Sequence, residues 1–158
     1  MAINRNSLRI LAMAFTKPNP IQFHYLVPSF GFANRIELKQ FLIKMCGKEG
    51  KKIEAINFIF CSDKYLLQLN QAHLNHNTFT DIITFELSPK NHPLVADIYI
   101  SVERIRENAR LFGVTFTEEL HRVIFHGVLH LFGYKDKKPA DQKRMRGLEG
   151  KWLAKYFG

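Results

Sequence analysis

Three side chains in the stretch His126-Gly127-Val128-Leu129-His130-Leu131-Phe132-Gly133-Tyr134-Lys135-Asp136 have the types and spacing of a metal site. Histidines four residues apart on a helix stand about 40° apart around its axis and one turn along it, so both imidazoles can reach one ion. Gly133 can close that helix in the left-handed conformation, letting the chain double back and bring Asp136 toward the same point. Two nitrogens and a carboxylate leave a coordination position for water, which distinguishes a catalytic zinc from a closed structural one. Taken alone, an HxxxH spacing also fits a pair of core histidines, and Asp136 among Lys135, Lys137 and Lys138 also fits a solvated turn acid. The apolar setting favours the metal, because a buried unsatisfied polar group costs ~1–3 kcal/mol and ligation would satisfy both rings. His121 stands about 140° around the helix from His126 and is a poor third ligand; surface exposure or packing is expected of it. Gly127 occupies the place where an HExxH motif carries its glutamate, so a metalloprotease reading loses its general base. No other residue announces itself in that role.

The surrounding pattern gives four strands and five helices. Ile21–Leu26 mixes aromatic and β-branched residues and reads as a strand. From Asn34 as N-cap, Ile36, Leu38, Phe41, Leu42 and Met45 recur at helical spacing, with Gly47 and Gly50 at the end. Ile53–Cys61 alternates as a strand, and Ser62 or Asp63 caps a short helix through Leu69. Asn70 onward is irregular and places Asn75-His76-Asn77-Thr78 on a loop before a strand at Ile82–Leu87. Val95–Ser101 is a further strand, in which Asp97 and Tyr99 share one face and Ile98 and Ile100 the other. Asp97 is expected either to face solvent or to hold a hydrogen bond. Ser101 caps a helix ending at Gly113, Thr117 opens the nearly all-apolar motif helix, and Pro139 opens a terminal helix marked by Met145, Leu148, Trp152 and Tyr156.

At 158 residues the chain suits one domain, with 46% hydrophobic and 23% charged residues. Residues 1–20 read as a weakly structured lead-in ended by Pro18 and Pro20, and 21–158 as the single domain. Ile10–Phe15 is shorter than a secretory core and is not read as a signal peptide; Met13 offers an alternative start. No apolar run reaches the ~18 residues of a membrane span. Cys46 and Cys61 lack CxxC spacing and fit buried thiols in a reducing cytoplasm. The formal charge of +9 favours an anionic partner, nucleic acid before membrane. Residues 135–158 concentrate it, with eight Lys or Arg against three Asp or Glu.

HGVLHLFGYKD resembles the signature of the YbeY family, bacterial endoribonucleases of ribosomal RNA maturation, whose pattern runs H-G-x-L-H-L-x-G-Y-D-H. Leu69-Asn70 through Thr80-Asp81-Ile82-Ile83-Thr84-Phe85 is similar to the family's LN…TDVLSF segment, and Ala96-Asp97-Ile98-Tyr99-Ile100-Ser101 resembles its GDI-x-IS strand. The resemblance spans about residues 21–155. It implies an α+β fold, a single mixed sheet packed with helices and a metal site on a central apolar helix, with His126 and His130 as ligands. It also implies single-stranded ribosomal RNA as substrate, with ribosomal small-subunit proteins or an assembly GTPase as further partners and no membrane. The family's third ligand histidine aligns with Asp136. A carboxylate still suits zinc, the first expectation for the single divalent ion, while making harder metals more competitive. The family's phosphate-contacting arginine aligns with Leu74, which cannot take that role. Either His73, His76 or a lysine supplies the contact, or phosphate activation rests on the metal.

The leading expectation is therefore a metal-dependent endoribonuclease that binds the ion through His126, His130 and Asp136. A ribosome-assembly RNA-binding factor with a structural metal and weak or no catalysis is the main alternative. Hydrolysis of a peptide or small molecule survives only on the HxxxH spacing.

Overall fold

The computed structural model describes residues 18–158. Met13 and most of the expected 1–20 lead-in lie outside the described residues. The chain runs β1 (Ile21–Tyr25), α1 (Arg35–Lys48), β2 (Ile53–Cys61), α2 (Asp63–Leu74), β3 (Ile82–Glu86), β4 (Leu94–Ser101), α3 (Val102–Phe112), α4 (Phe116–Leu131) and α5 (Pro139–Phe157). The four strands form one sheet in the order β1-β2-β4-β3. β1 and β4 lie parallel to β2, and β3 lies antiparallel to β4, so the sheet is mixed as expected.

Strand alternation decides what each face meets. Ile56, Phe58 and Phe60 of β2 and Ile98 and Ile100 of β4 point to one face, where they are fully buried beneath α1, α4 and α5. On the other face α2 covers a smaller cluster of Cys61, Leu66 and Ile83, flanked by Phe85 and Tyr99. Asp97 lies on this second face with Tyr99, and its role is a hydrogen bond. Asn57, its register partner, donates to Asp97 Oδ1 at 2.9 Å, and Asn57 Oδ1 lies 3.0 Å from His24 Nε2. Both cysteines are buried and free, and burial pushes each thiol up to about 12.

Gly127 of α4 sits directly against the sheet. A Cβ placed there would meet Ile82 Cδ1 at 2.8 Å and Ile98 Cγ2 at 3.1 Å. The residue after the first histidine therefore faces the sheet, which is the physical reason this helix cannot carry an HExxH glutamate: the side chain would be driven into the β3–β4 core.

Several boundaries differ from the sequence reading. α2 continues past Leu69 to Leu74 and stops at Asn75, whose φ of 53° is left-handed. Asn70 turns inward and donates to the Thr78 carbonyl at 2.8 Å, so the loop is stitched to the helix rather than replacing it. α4 is capped by Thr115, whose hydroxyl accepts from Glu118 N–H, two residues before the expected Thr117. Asn34 precedes α1 without a side-chain cap bond and is itself left-handed. Ser62 and Ser101 cap α2 and α3 as expected, and Pro139 opens α5.

Candidate metal centre

α4 ends as its glycine predicts. Gly133 has φ 93°, and Tyr134 N–H donates to the Leu129 carbonyl at 3.2 Å, a closing bond that turns the chain back on itself. The turn delivers Asp136 to the two histidines. His126 Nε2 and His130 Nε2 are 2.9 Å apart, and Asp136 Oδ2 lies 3.2 Å from the first and 3.4 Å from the second. These residues form the one group of His, Cys, Asp and Glu among the described residues that brings three donor atoms to a point.

The tautomers say what the point is for. His126 Nδ1–H donates to Glu149 Oε1 at 2.6 Å, and His130 Nδ1–H donates to the Tyr134 carbonyl at 2.9 Å. With each Nδ1 proton engaged, a neutral ring keeps its lone pair on Nε2. Two lone pairs and a carboxylate oxygen then face one another with no proton between them, which is unfavourable unless a cation sits there. Tetrahedral donors about 2.0–2.1 Å from a zinc ion stand about 3.3–3.4 Å apart, close to the observed triangle. The donor set fits such an ion.

Glu149 was not found by reading the sequence, nor were the groups behind it. It is 4% exposed on α5, and its second oxygen accepts from Arg122 NH1 at 3.1 Å. Arg122 lies one turn before His126 on α4 and also grips buried Glu119 with two bonds of 2.8 and 2.7 Å. Its remaining approach is to Asp81, 3.6 Å away. Burial opposes the guanidinium charge, but the Glu119 and Glu149 carboxylates more than offset that and hold Arg122 protonated well above its ordinary range. Burial raises the Asp81 carboxyl above its usual 3.8, partly countered by the Arg122 charge. Asp81 also accepts from Asn108 Nδ2 at 3.2 Å.

These groups line a cavity of ≈ 560 Å³ between α3, α4 and α5 that reaches His126 and Asp136. Its walls mix Phe112, Val114, Met145 and Leu153 with the polar groups above. Glu118 and His126, both in that wall, are eight residues or about 12 Å apart along α4.

The other histidines lie elsewhere. His121 is buried, donates from Nδ1 to the Thr117 carbonyl at 2.7 Å and stacks on Tyr156 at 4.8 Å, which places it in the core rather than at the surface. Burial lowers its pKa, and its Nε2 has no partner. His73 is exposed on the last turn of α2 against the Phe85 ring, and His76 is exposed just past the helix end. Neither lines the cavity at the centre, and Leu74 between them is 43% exposed.

An α+β sheet that carries two helical histidines and a downstream carboxylate to one point beside a cavity has the build of a metal-dependent hydrolase. The family described as Endoribonuclease YbeY matches residues 33–157. The Endoribonuclease YbeY of Flavobacterium psychrophilum is 54% identical over 105 residues, covering 66% of this chain and 74% of its own. That of Flavobacterium johnsoniae is 43% identical over 136 residues, covering 86% and 96%. Among solved structures, a Thermotoga maritima protein determined in solution superposes with a TM-score of 0.62 at 29% identity, covering 87% of this chain and 89% of that one. The chain belongs to the endoribonuclease YbeY family.

Proposed function

We propose that this chain is a metal-dependent endoribonuclease that cuts single-stranded RNA during ribosomal RNA maturation in the cytoplasm, through a single domain over residues 21–158. The observation that carries the metal dependence is the convergence of three potential ligand atoms, His126 Nε2, His130 Nε2 and Asp136 Oδ2, within 3.4 Å of one another. His126, His130 and Asp136 would hold one divalent ion, zinc before others. When bound, such an ion supplies Lewis-acid polarisation of a phosphoryl oxygen and an acidified water.

The chain's own residues do the rest. Glu149 and the Tyr134 carbonyl fix the two ring orientations, so the donors need no rearrangement before they act. Arg122 holds Glu149 in place and keeps its charge from being buried alone. The cavity from Glu118 to Asp136 receives the strand, and His73 and His76 contact RNA at the loop that leads into Asp81. Ribosomal small-subunit proteins or an assembly GTPase would deliver the substrate. The absence of an arginine at Leu74 favours a second reading, an RNA-binding assembly factor with little catalysis.

The test is incubation of structured ribosomal RNA with metal-loaded protein and with a His126→Ala, His130→Ala variant, both free of contaminating nuclease. Cleavage by the first alone is expected. Equal cleavage by both would refute a metal-centred mechanism, and RNA binding without cleavage by the loaded protein would support the assembly factor.

A further inference from the structure

The wall of the cavity beside the metal centre is acidic. Asp81, Glu118, Glu119, Asp136 and Glu149 line it, against two cations, Arg122 and Arg146. A phosphodiester entering there meets net negative charge and needs a cation with donors to spare. Arg122 is nearly spent: its Nε and NH2 hold Glu119, its NH1 holds Glu149 and its NH2 leans toward Asp81, which leaves one NH1 hydrogen. Arg146 is different. It is exposed, and among the described residues it makes no ion pair or side-chain hydrogen bond. It stands three residues before Glu149 on α5, so the two share a helix face about 4.5 Å apart along the axis. Glu149 in turn touches His126. Arg146 therefore stands within a turn of the residue that orients a metal donor, and on the same cavity wall as His126 and Asp136.

We propose that Arg146 grips the non-bridging oxygens of the RNA phosphate beside the His126–His130–Asp136 centre. It is the uncommitted guanidinium of this wall, and its planar fork matches two phosphate oxygens. The role rests on the ribonuclease reading and supplies the cation that Leu74, exposed on α2 and outside the cavity, does not. Its position in a wall where five carboxylates face two guanidinium groups separates it from a solvated helix arginine.

The experiment compares wild type, Arg146→Gln, Arg146→Lys and the control Lys143→Gln, which removes an exposed charge from α5 outside the cavity. Binding of a fluorescent single-stranded RNA 12-mer is followed by anisotropy across a KCl series, cleavage gives kcat and KM, and metal content is measured for each protein. Arg146→Gln is expected to keep its metal, lose on the order of tenfold in kcat/KM and flatten the log K against log salt slope by about 0.7, the value for one phosphate on a single strand. Arg146→Lys recovers part of the binding, and Lys143→Gln changes neither slope nor kcat/KM. An Arg146→Gln protein with the wild-type slope, or a Lys143→Gln protein with the same loss, overturns the assignment. If the loaded wild type binds but never cleaves, the ribonuclease reading fails while the slope still decides on Arg146; if it does not bind, both fall.

Discussion

Gly127→Ala should destabilise the protein, although the same change elsewhere in a helix does the opposite. Replacing a mid-helix glycine by alanine gains about 1 kcal/mol from backbone entropy. At Gly127 the new methyl meets Ile82 Cδ1 at 2.8 Å and Ile98 Cγ2 at 3.1 Å. Ile82 Cδ1 is the end of a flexible side chain, but Ile98 Cγ2 is fixed by β-branching on a central, fully buried strand residue. Forcing a methyl into a packed core costs about 1–3 kcal/mol, so the net effect is a loss of about 1 kcal/mol. Gly147 on α5 is exposed, and its Cβ would have no neighbour within 4 Å, so Gly147→Ala should gain about 1 kcal/mol. The assay is urea unfolding of both variants in chelator, which removes stabilisation by bound metal. Opposite shifts in midpoint, each worth about 2–4 °C in a thermal scan, are expected. Equal stabilisation by both would show that α4 is not held against β3 and β4 as described.

Glu149→Gln keeps the size of the side chain and removes the charge that holds His126 Nδ1–H and Arg122, so zinc affinity measured against a chromophoric chelator should fall about 10- to 100-fold; unchanged affinity would show that His126 needs no such partner. Asp136→Asn, which trades a carboxylate for a neutral amide, should weaken the metal further, whereas Asp136→His should retain zinc and discriminate more strongly against manganese and magnesium; equal metal preference would remove Asp136 from the donor set. His121 has its pKa lowered from 6.5 by burial, so both states hold a neutral ring above that pH, and below it the unfolded chain binds the extra proton. Stability from this residue should therefore fall as pH drops below 6.5, by up to about 1.4 kcal/mol per pH unit, and His121→Phe should remove that share of the slope in denaturant melts between pH 8 and 5. A slope unchanged in the variant would mean that His121 is not a buried neutral ring.

The strands were legible because alternation is a strong signal when both faces are occupied by different partners: Ile98 and Ile100 on one face, Asp97 and Tyr99 on the other, as read. The convergence of His126, His130 and Asp136 was legible because helix periodicity and one glycine suffice to bring them together. The end of α2 was not, since Asn70 looks like a loop residue until the Thr78 carbonyl is there to receive its amide. Glu149 was overlooked although its signal was present. It falls on the stripe of Met145, Leu148 and Trp152, and an acid on an apolar stripe calls for a buried partner. Arg122 lies four residues before His126 and eight before His130, a row that the apolar composition of α4 concealed.

We propose above all that His126, His130 and Asp136 form a site for one divalent cation. Elemental analysis of protein purified without chelator or added metal tests it most directly, paired with the His126→Ala, His130→Ala variant. One divalent ion per chain, zinc foremost, lost in the variant with its fold intact by circular dichroism, is the predicted result. A variant that retains the full metal content, or a wild type that neither carries nor takes up a divalent ion, would contradict it.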